Sequence, residues 1–176
     1  MRTINVIDSV RAIAHQSDSD SHSLHIQKIL VPVDFSEGSV VALRCAAGLA
    51  QRTGASLTLL HVVDSLIAPM EDLEYTYVDS KALRAAVEKR ANEKLSELAR
   101  KETDPAAHAS PLVRRGTTWE QIIETARSGG ADLIVIGSHG YSGLKRVLLG
   151  STAEKVVRHA RCPVLVVREH GDGSAA

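Results

Sequence analysis

Short apolar runs alternate with helix-like segments along most of this chain. The runs are "KILVPVD", "ASLTLLHVVD", "HASPLVRRG", "ADLIVIG" and "CPVLVVR", of which the third is the weakest. Such runs indicate buried strands, and the segments between them carry apolar residues at helical spacing. Five strands in strict alternation with four helices predict an α/β fold, a mostly parallel sheet with helices on both faces. The residues alone do not give the order of the strands.

Each predicted helix has an apolar side and recognisable ends. Ser36 is the predicted N-cap of the first helix, and Gly54 is its predicted stop. Both cysteines are predicted to be buried thiols. The inward positions predicted for the four helices are Val41, Cys45, Ala46 and Leu49; Leu83, Val87, Ala91, Leu95 and Leu98; Trp119, Ile122, Ile123 and Ala126; Ala153, Val156, Val157 and Ala160.

Both ends of the chain differ from its body. The segment "HQSDSDSHSLH" is polar and low in complexity, which is typical of a linker. Before it, apolar residues at helical spacing leave two alternatives open, a short amphipathic helix and a frayed tail. We therefore expect an N-terminal extension over residues 1–25, one domain over 26–170 and a polar tail over 171–176.

Composition argues against several classes of protein. Lys and Arg together number 21, as do Asp and Glu, so no strong positive field is available for nucleic acid. No apolar run approaches the roughly 20 residues of a membrane span. The two cysteines form neither a disulfide framework nor a metal-binding spacing. We expect a cytoplasmic protein that binds neither nucleic acid nor a membrane.

The segment "GSHGYSGLKRVLLGST", residues 137–152, joins the fourth predicted strand to the fourth helix. Its glycines permit positive φ and a close approach of ligand to backbone. The helix start at Ser151 and Thr152 offers free N–H groups for a phosphate, and Ser151 is expected both to cap the helix and to donate to the ligand. The spacing matches neither GxxxxGK[ST] nor GxGxxG, so an ordinary glycine-rich loop stays open as the alternative.

Three segments occur in a fixed order: "ILVPVDFSEGS", "LTLLHVVD" and "DLIVIGSHGYSGLKRVLLGSTAEKVVRHARCPVLVVR". The last contains Gly-x2-Gly-x9-Gly-Ser, from Gly137 to Ser151. Together they resemble the universal stress protein family, whose ATP-binding branch has that glycine signature. The resemblance runs from Lys28 to Arg168. It implies a Rossmann-like, adenine nucleotide alpha hydrolase-like fold with a five-stranded parallel sheet in the order 3-2-1-4-5. It also implies a homodimer through the last strand, Val164–Val167.

The resemblance further implies a site for an adenine nucleotide. In ATP-binding relatives, a Pro-x-Asp segment lies along adenine and ribose, the residue after the histidine of the second strand contacts adenine, and the glycine loop wraps the triphosphate. The corresponding residues here are Pro32, Val33, Asp34, Val62, Ile136, Gly137, Ser138, His139, Gly140, Gly150, Ser151 and Thr152. Asp34 is the candidate acceptor for a ribose hydroxyl or ligand for Mg²⁺. A capping or loop role is the alternative for Asp34.

Three functions remain open from the sequence. The leading hypothesis is a regulatory protein in which bound ATP stabilises one conformation or dimer state. A slow ATPase is the second, and it needs an activated water and charge stabilisation at the γ-phosphate. Asp34 with Mg²⁺ and His139 are candidates for those roles, but no fixed base or arginine finger is evident. The third is a scaffold that binds partners without nucleotide.

Overall fold

The computed structural model describes residues 25–63, 80–104, 108–138 and 149–168. The predicted helix before residue 15, His139 and Gly140 lie outside the described residues. No described helix combines the length and apolar character needed to cross a bilayer. The elements, in chain order, are β1 (Lys28–Pro32), α1 (Glu37–Thr53), β2 (Ser56–Val63), α2 (Ser80–Glu102), β3 (Ala109–Arg115), α3 (Thr118–Gly129), β4 (Leu133–Gly137), α4 (Ser151–His159) and β5 (Val164–Val167).

The five strands form one parallel sheet in the order β3-β2-β1-β4-β5. This confirms the predicted fold class and strand order. In the centre, Ile29 of β1 is in register with Leu57 of β2 on one side and Leu133 of β4 on the other. The chain moves outward from β1 to β3 and then returns to β4, so the strand order reverses between β1 and β4. Such a reversal opens a crevice at the carboxyl ends of the two strands.

Alternate residues of the strands face two separate cores. The first core lies under α1 and α2, and the second lies under α3 and α4, with the sheet between them. Because both faces of the inner strands are covered, β1 and β4 are apolar at nearly every position. The first core includes Ile29, Val31, Leu43, Leu57, Leu59, Leu95 and Val135, and the second comprises Leu30, Leu60, Ile122, Ala126, Ile134, Ile136, Ala153 and Val156.

The predicted ends of α1 are confirmed. The side chain of Ser36 accepts a hydrogen bond of 3.2 Å from the N–H of Ser39, which satisfies one of the free donors of the first turn. Gly54 follows the last turn with φ of 74°, and its N–H donates to the carbonyl of Ala50 at 2.8 Å. A residue with a Cβ rarely adopts that conformation, so Gly54 is a specific stop signal.

The predicted apolar sides of the helices are only partly right. Cys45 is exposed rather than buried, because α1 packs on the sheet through a stripe of small residues one position further along. Val87 is 43% exposed, since α2 contacts the sheet through its later turns, where Leu95 is fully buried. Val157 is 48% exposed, because it lies one residue and about 100° around α4 from the buried Val156.

Polar contacts hold two places where elements meet. Arg44 of α1 donates to both carboxylate oxygens of Glu102 at the end of α2, at 2.6 and 3.2 Å. The hydrogen bond from Arg44 lowers the pKa of Glu102 below its ordinary value. At the amino end of the sheet, Asp132 accepts from the backbone N–H groups of Gln27 and Lys28, both at 2.9 Å. These two hydrogen bonds hold the start of β1 beside the start of β4.

Candidate functional site

A cleft opens at the carboxyl ends of β1, β2 and β4, beside the first turns of α3 and α4. Its volume is about 250 Å³, just below the roughly 300 Å³ at which small-molecule pockets usually begin. The described residues that line it are Pro32, Val33, Asp34, Ser39, Leu60, His61, Val62, Thr118, Ile122, Ile136, Gly137, Ser138, Gly150, Ser151, Thr152 and Ala153. The cleft therefore occupies the strand-order reversal, where sheets of this kind bind ligands.

The cleft gathers every predicted site residue that the structure describes, and six more that the sequence reasoning missed. The missed residues are Ser39, Leu60, His61, Thr118, Ile122 and Ala153. Thr118 and Ile122 come from α3, which no sequence motif connected to the cleft. Only the topology could have indicated them: α3 follows the edge strand β3 and returns to the centre of the sheet, so it begins at the same edge as the crevice.

Four aliphatic side chains form one side of the cleft, which we call the apolar wall: Leu60, Val62, Ile122 and Ile136. Leu60, Ile122 and Ile136 are members of the second core, and Val62 packs against it. An apolar surface at this position suits a flat aromatic ring, because ring stacking on aliphatic groups removes apolar area from water without leaving a buried polar atom unpaired.

The N-terminus of α4 also lines the cleft. Gly150 is the N-cap, with φ of −68° and ψ of 152°, and as a glycine it has no side chain to accept from the first turn. The expectation that Ser151 caps the helix is therefore wrong, because Ser151 is already the first helical residue. The first intrahelical bond runs from Glu154 N–H to Gly150. The N–H groups of Ser151, Thr152 and Ala153 have no partner within the helix and suit an anion.

Two backbone hydrogen bonds fix Gly150 in place. Ser138, which is 3% exposed, donates its N–H to the carbonyl of Val167 at 2.7 Å. The carbonyl of Ser138 accepts from the N–H of Gly150 at 2.8 Å. These bonds tie the end of β4, the start of α4 and the end of β5 into one frame. The donors of the first turn of α4 are thereby held at a set place on the rim of the cleft.

Gly137 permits close packing of two backbone segments, a role that the sequence analysis did not predict. Its φ is not positive. A Cβ at Gly137 would lie 2.9 Å from the carbonyl oxygen and 3.0 Å from the carbonyl carbon of Gly38. The absence of a side chain thus lets the end of β4 pack directly against the first turn of α1. Ser39, the next residue of α1, lines the cleft.

The turn between β1 and α1 places Asp34 at the cleft. The carboxylate of Asp34 accepts from the backbone N–H of Ser36 at 3.0 Å and from its hydroxyl. This confirms a local loop role for Asp34 while its side chain still lines the cleft. Phe35 has φ of 65°, a conformation that bulky residues rarely adopt and that the surrounding structure must stabilise.

Three contacts stabilise that turn. The Phe35 ring lies 4.6 Å from the ring of His61, and the ammonium of Lys94 lies 4.2 Å from the centre of the Phe35 ring. His61 Nδ1 is 2.8 Å from the carbonyl of Val33. Since a carbonyl only accepts, Nδ1 carries the proton. His61 is a satisfied histidine, as predicted, although it is half-buried rather than fully in the core.

The charged groups of the cleft are few. Among the described lining residues, Asp34 is the sole acid and none is Lys or Arg. Within the described ranges, no three His, Cys, Asp or Glu side chains cluster as a metal site would require. Mg²⁺ often binds through one or two carboxylates plus the phosphates of a substrate. The single carboxylate of Asp34, in a cleft that also contains a helix N-terminus, fits such shared coordination and does not form a separate protein metal site.

Comparison with known proteins assigns the family. The sequence profile of the Universal stress protein family matches residues 25–168. The chain belongs to the universal stress protein family. Universal stress protein MJ0577 of Methanocaldococcus jannaschii is 32% identical over 157 residues, which cover 83% of this chain and 97% of the relative.

Solved structures of relatives share the fold. The structure of MJ0577 superposes with a TM-score of 0.72 at 30% identity, covering 84% of this chain and 99% of that one. A universal stress protein in complex with cAMP gives 0.53 at 24% identity, covering 81% and 97%. One from Archaeoglobus fulgidus in complex with dAMP gives 0.54 at 22% identity, covering 80% and 96%. At these identities, the two complexes show the fold alone.

Proposed function

We propose that this protein is a regulatory adenine-nucleotide-binding protein whose ligand is ATP. The observation that carries the proposal is that the first turn of α4, whose N-cap is a glycine, and the apolar wall line the same cleft. A nucleotide has the matching chemistry, an aromatic base at one end and phosphates at the other. The relatives that bind cAMP and dAMP add support, because they place adenine nucleotides on the same fold.

The proposed pose assigns a role to the apolar wall, to Asp34 and to the start of α4. The base lies on the apolar wall, beside Val33, and Asp34 accepts from a ribose hydroxyl. The phosphates lie at the N–H groups of Ser151 and Thr152, where the partial positive charge of the helix favours an anion. Gly150 leaves room for the phosphates, and the hydroxyl of Ser151 donates to a phosphate oxygen. Mg²⁺ would be shared between Asp34 and the phosphates.

We favour binding over hydrolysis as the principal activity. Phosphoryl transfer requires an oriented water and cationic groups that neutralise charge on the transferred phosphate. The described lining residues include no Lys or Arg, and one oxygen of Asp34 is engaged by Ser36. Bound ATP would instead order the first turn of α4 and the β1–α1 turn, which is how a ligand stabilises one conformation.

Calorimetric titration with ATP and with tripolyphosphate tests the proposal. Gly150→Val combined with Ser151→Val should abolish binding of both ligands, since it fills the phosphate position and removes a donor. Val62→Asp should weaken ATP at least tenfold while leaving tripolyphosphate little changed, because it charges only the apolar wall. Gly48→Val, at an open and exposed helix position, is the matched control. Wild-type affinity in the double variant would refute the phosphate position.

We also propose a homodimer through β5. This strand is at one end of the sheet, and its residues Val164–Val167 are half-buried within one chain. Exposed apolar edges promote association, and two-fold pairing of the same strand satisfies the edge and prevents further growth. Because Ser138 N–H and Ile134 N–H donate to the carbonyls of Val167 and Pro163, the N–H of Val166 faces away from β4.

Val166→Pro tests that dimer without breaking the pairing of β5 with β4. The variant lacks the outward N–H and should sediment as a monomer, whereas Val166→Thr keeps the N–H and the branched shape and should remain a dimer. A wild type that sediments as a monomer at micromolar concentration, with or without ATP, would rule the dimer out.

The domain limits and the location are part of the same proposal. Residues 26–170 would form the folded unit, with 1–25 as an extension and 171–176 as a tail. Limited proteolysis would then leave residues 26–170 as a resistant core.

A cytoplasmic location is supported by the two free thiols, Cys45 and Cys162. Cell fractionation tests it, and recovery in a membrane or secreted fraction would contradict it.

A further inference from the structure

A second concave surface, which we call the groove, lies on the α3 side of the sheet, beside the cleft. It extends from the amino ends of β1 and β2 to the carboxyl half of β3, where Leu112 and Arg114 are in register with Leu60 and Val62 of the cleft. Its volume is about 410 Å³. The residues that matter for its chemistry are Lys28, Thr58, Leu112, Arg114, Thr125 and Ser128. None of these six lines the cleft.

Thr125 of α3 has an unusual hydroxyl. Its side chain lines the groove, and the residue is 9% exposed. In the described helices, Thr53, Ser96 and Ser128 donate their hydroxyls to the carbonyl four residues earlier. Thr125 makes no such bond and no other hydrogen bond within the described residues. Because no fully buried side-chain oxygen in the described part of the chain lacks a partner, this hydroxyl reaches open space in the groove, where it can donate to or accept from a ligand.

Thr58 faces the groove from the sheet. It lies in register with Leu30 of β1, on the side of β2 that also presents Leu60 to the second core. An aliphatic residue would pack equally well at this half-buried position. The hydroxyl of Thr58 also has no hydrogen bond within the described residues. Two unbonded hydroxyls, one on the sheet and one on the helix, therefore border the same groove.

The charge of the groove is positive. Arg114 of β3 has no ion pair within the described part of the chain, whereas its neighbour Arg115 pairs with Glu88 at 2.7 Å. Lys28 contributes an ammonium that donates to the carbonyl of Gly129 at 3.1 Å. No Asp or Glu occurs among the described residues that line the groove. Two cations without a lining acid favour an anionic ligand, and an arginine with a free guanidinium suits a carboxylate or phosphate in particular.

We propose that the groove is a second ligand site, which binds a small organic molecule carrying a carboxylate or phosphate. The oxyanion pairs with Arg114, the hydroxyls of Thr58 and Thr125 bond to polar atoms of the ligand, and Leu112 contacts its carbon skeleton. Lys28 adds positive charge at the amino end. This site does not depend on the nucleotide proposal, because it shares no lining residue with the phosphate position at α4.

Titration of the ¹⁵N-labelled full chain, followed by two-dimensional NMR, reports each site separately. The probes are inorganic phosphate and succinate, which distinguish a preference for phosphate from one for carboxylate. Saturable shifts are expected at the amides of Thr58, Leu112, Arg114 and Thr125 with at least one probe. Arg114→Gln should weaken binding about tenfold, the usual effect of losing a charged hydrogen bond.

Two further variants make the result decisive. Thr125→Val keeps the shape of the side chain and should weaken the same probe severalfold, which tests the hydroxyl even if Arg114→Gln does not fold. Arg90→Gln, at an exposed arginine on α2 outside the groove, should bind the probe like the wild type. The proposal is overturned if neither probe shifts the groove amides, if shifts occur only at Ser151 to Ala153, or if Arg114→Gln and Thr125→Val bind as the wild type does.

Discussion

Gly137→Ala should destabilise the protein although it adds only one methyl group. The new Cβ would lie 2.9 Å from the oxygen and 3.0 Å from the carbon of the Gly38 carbonyl, and 3.3 Å from the N of Ser39. All three are backbone atoms, so no side chain can rotate away and α1 or β4 must shift. Overpacking of this kind costs about 1–3 kcal/mol, and the lower entropy of the unfolded alanine chain offsets about 0.4–1 kcal/mol of it.

The net loss in the free energy of unfolding is thus about 1–2 kcal/mol, measurable by urea denaturation. Gly48→Ala is the matched control, because Gly48 lies in the exposed part of α1 and its Cβ would meet nothing within 4 Å. That change should raise stability by about 0.5–1 kcal/mol, the usual gain for alanine in a helix. If Gly137→Ala is as stable as the wild type, close packing of β4 on α1 is not the reason for the glycine.

Two polar contacts give further predictions. Glu102→Gln should lower stability at pH 7, because it weakens the contact with Arg44. The folded pKa of Glu102 lies below its ordinary 4.5. The stabilisation from the ionised carboxylate is therefore present above pH 4.5 and disappears as pH falls through the folded pKa. Urea denaturation at pH 7 and pH 3 should therefore show a difference from the wild type that closes in acid, and a constant difference would refute the linkage. Asp132→Ala should cost about 0.5–1.5 kcal/mol, because the exposed N–H groups of Gln27 and Lys28 lose their acceptor. Asp132→Asn retains an oxygen and should cost less. Equal stability of both variants and the wild type would show that water replaces the carboxylate.

The sequence was most informative where one residue type is compatible with one local geometry. Ser36 and Gly54 mark the ends of α1 because a hydroxyl acceptor and a positive φ are specific requirements. The inward side of α1 was misplaced at Cys45, because alanines give a weak periodic signal yet allow a helix to pack closely on a sheet. Strand order came from the family resemblance, since local patterns carry no information about which strands are neighbours.

The cleft, too, was predicted only in part. Residues next to strand ends and in the glycine segment were predicted because the motif includes them. Thr118 and Ile122 were missed because they reach the cleft only through the return of α3 across the sheet. The positive φ considered for glycines of this segment is not found at Gly137, and the approach of a ligand to its backbone stays a prediction. The sequence could not show that Gly137 also packs against the backbone of Gly38, because that contact joins residues far apart in the chain.

Because the sheet separates the two cores, the residues of each core are under different constraints. Among the described residues, Leu60, Ile122, Ile136 and Ala153 of the second core line the cleft, whereas Val33 is the one buried residue of the first core that does so. Under the proposed function, substitutions in the second core alter both the stability of the fold and the shape of the ligand site, so few replacements satisfy both. Residues of the first core are constrained almost entirely by packing, so they can be replaced by others of similar volume. Relatives that share a ligand should therefore resemble one another more closely beneath α3 and α4 than beneath α1 and α2.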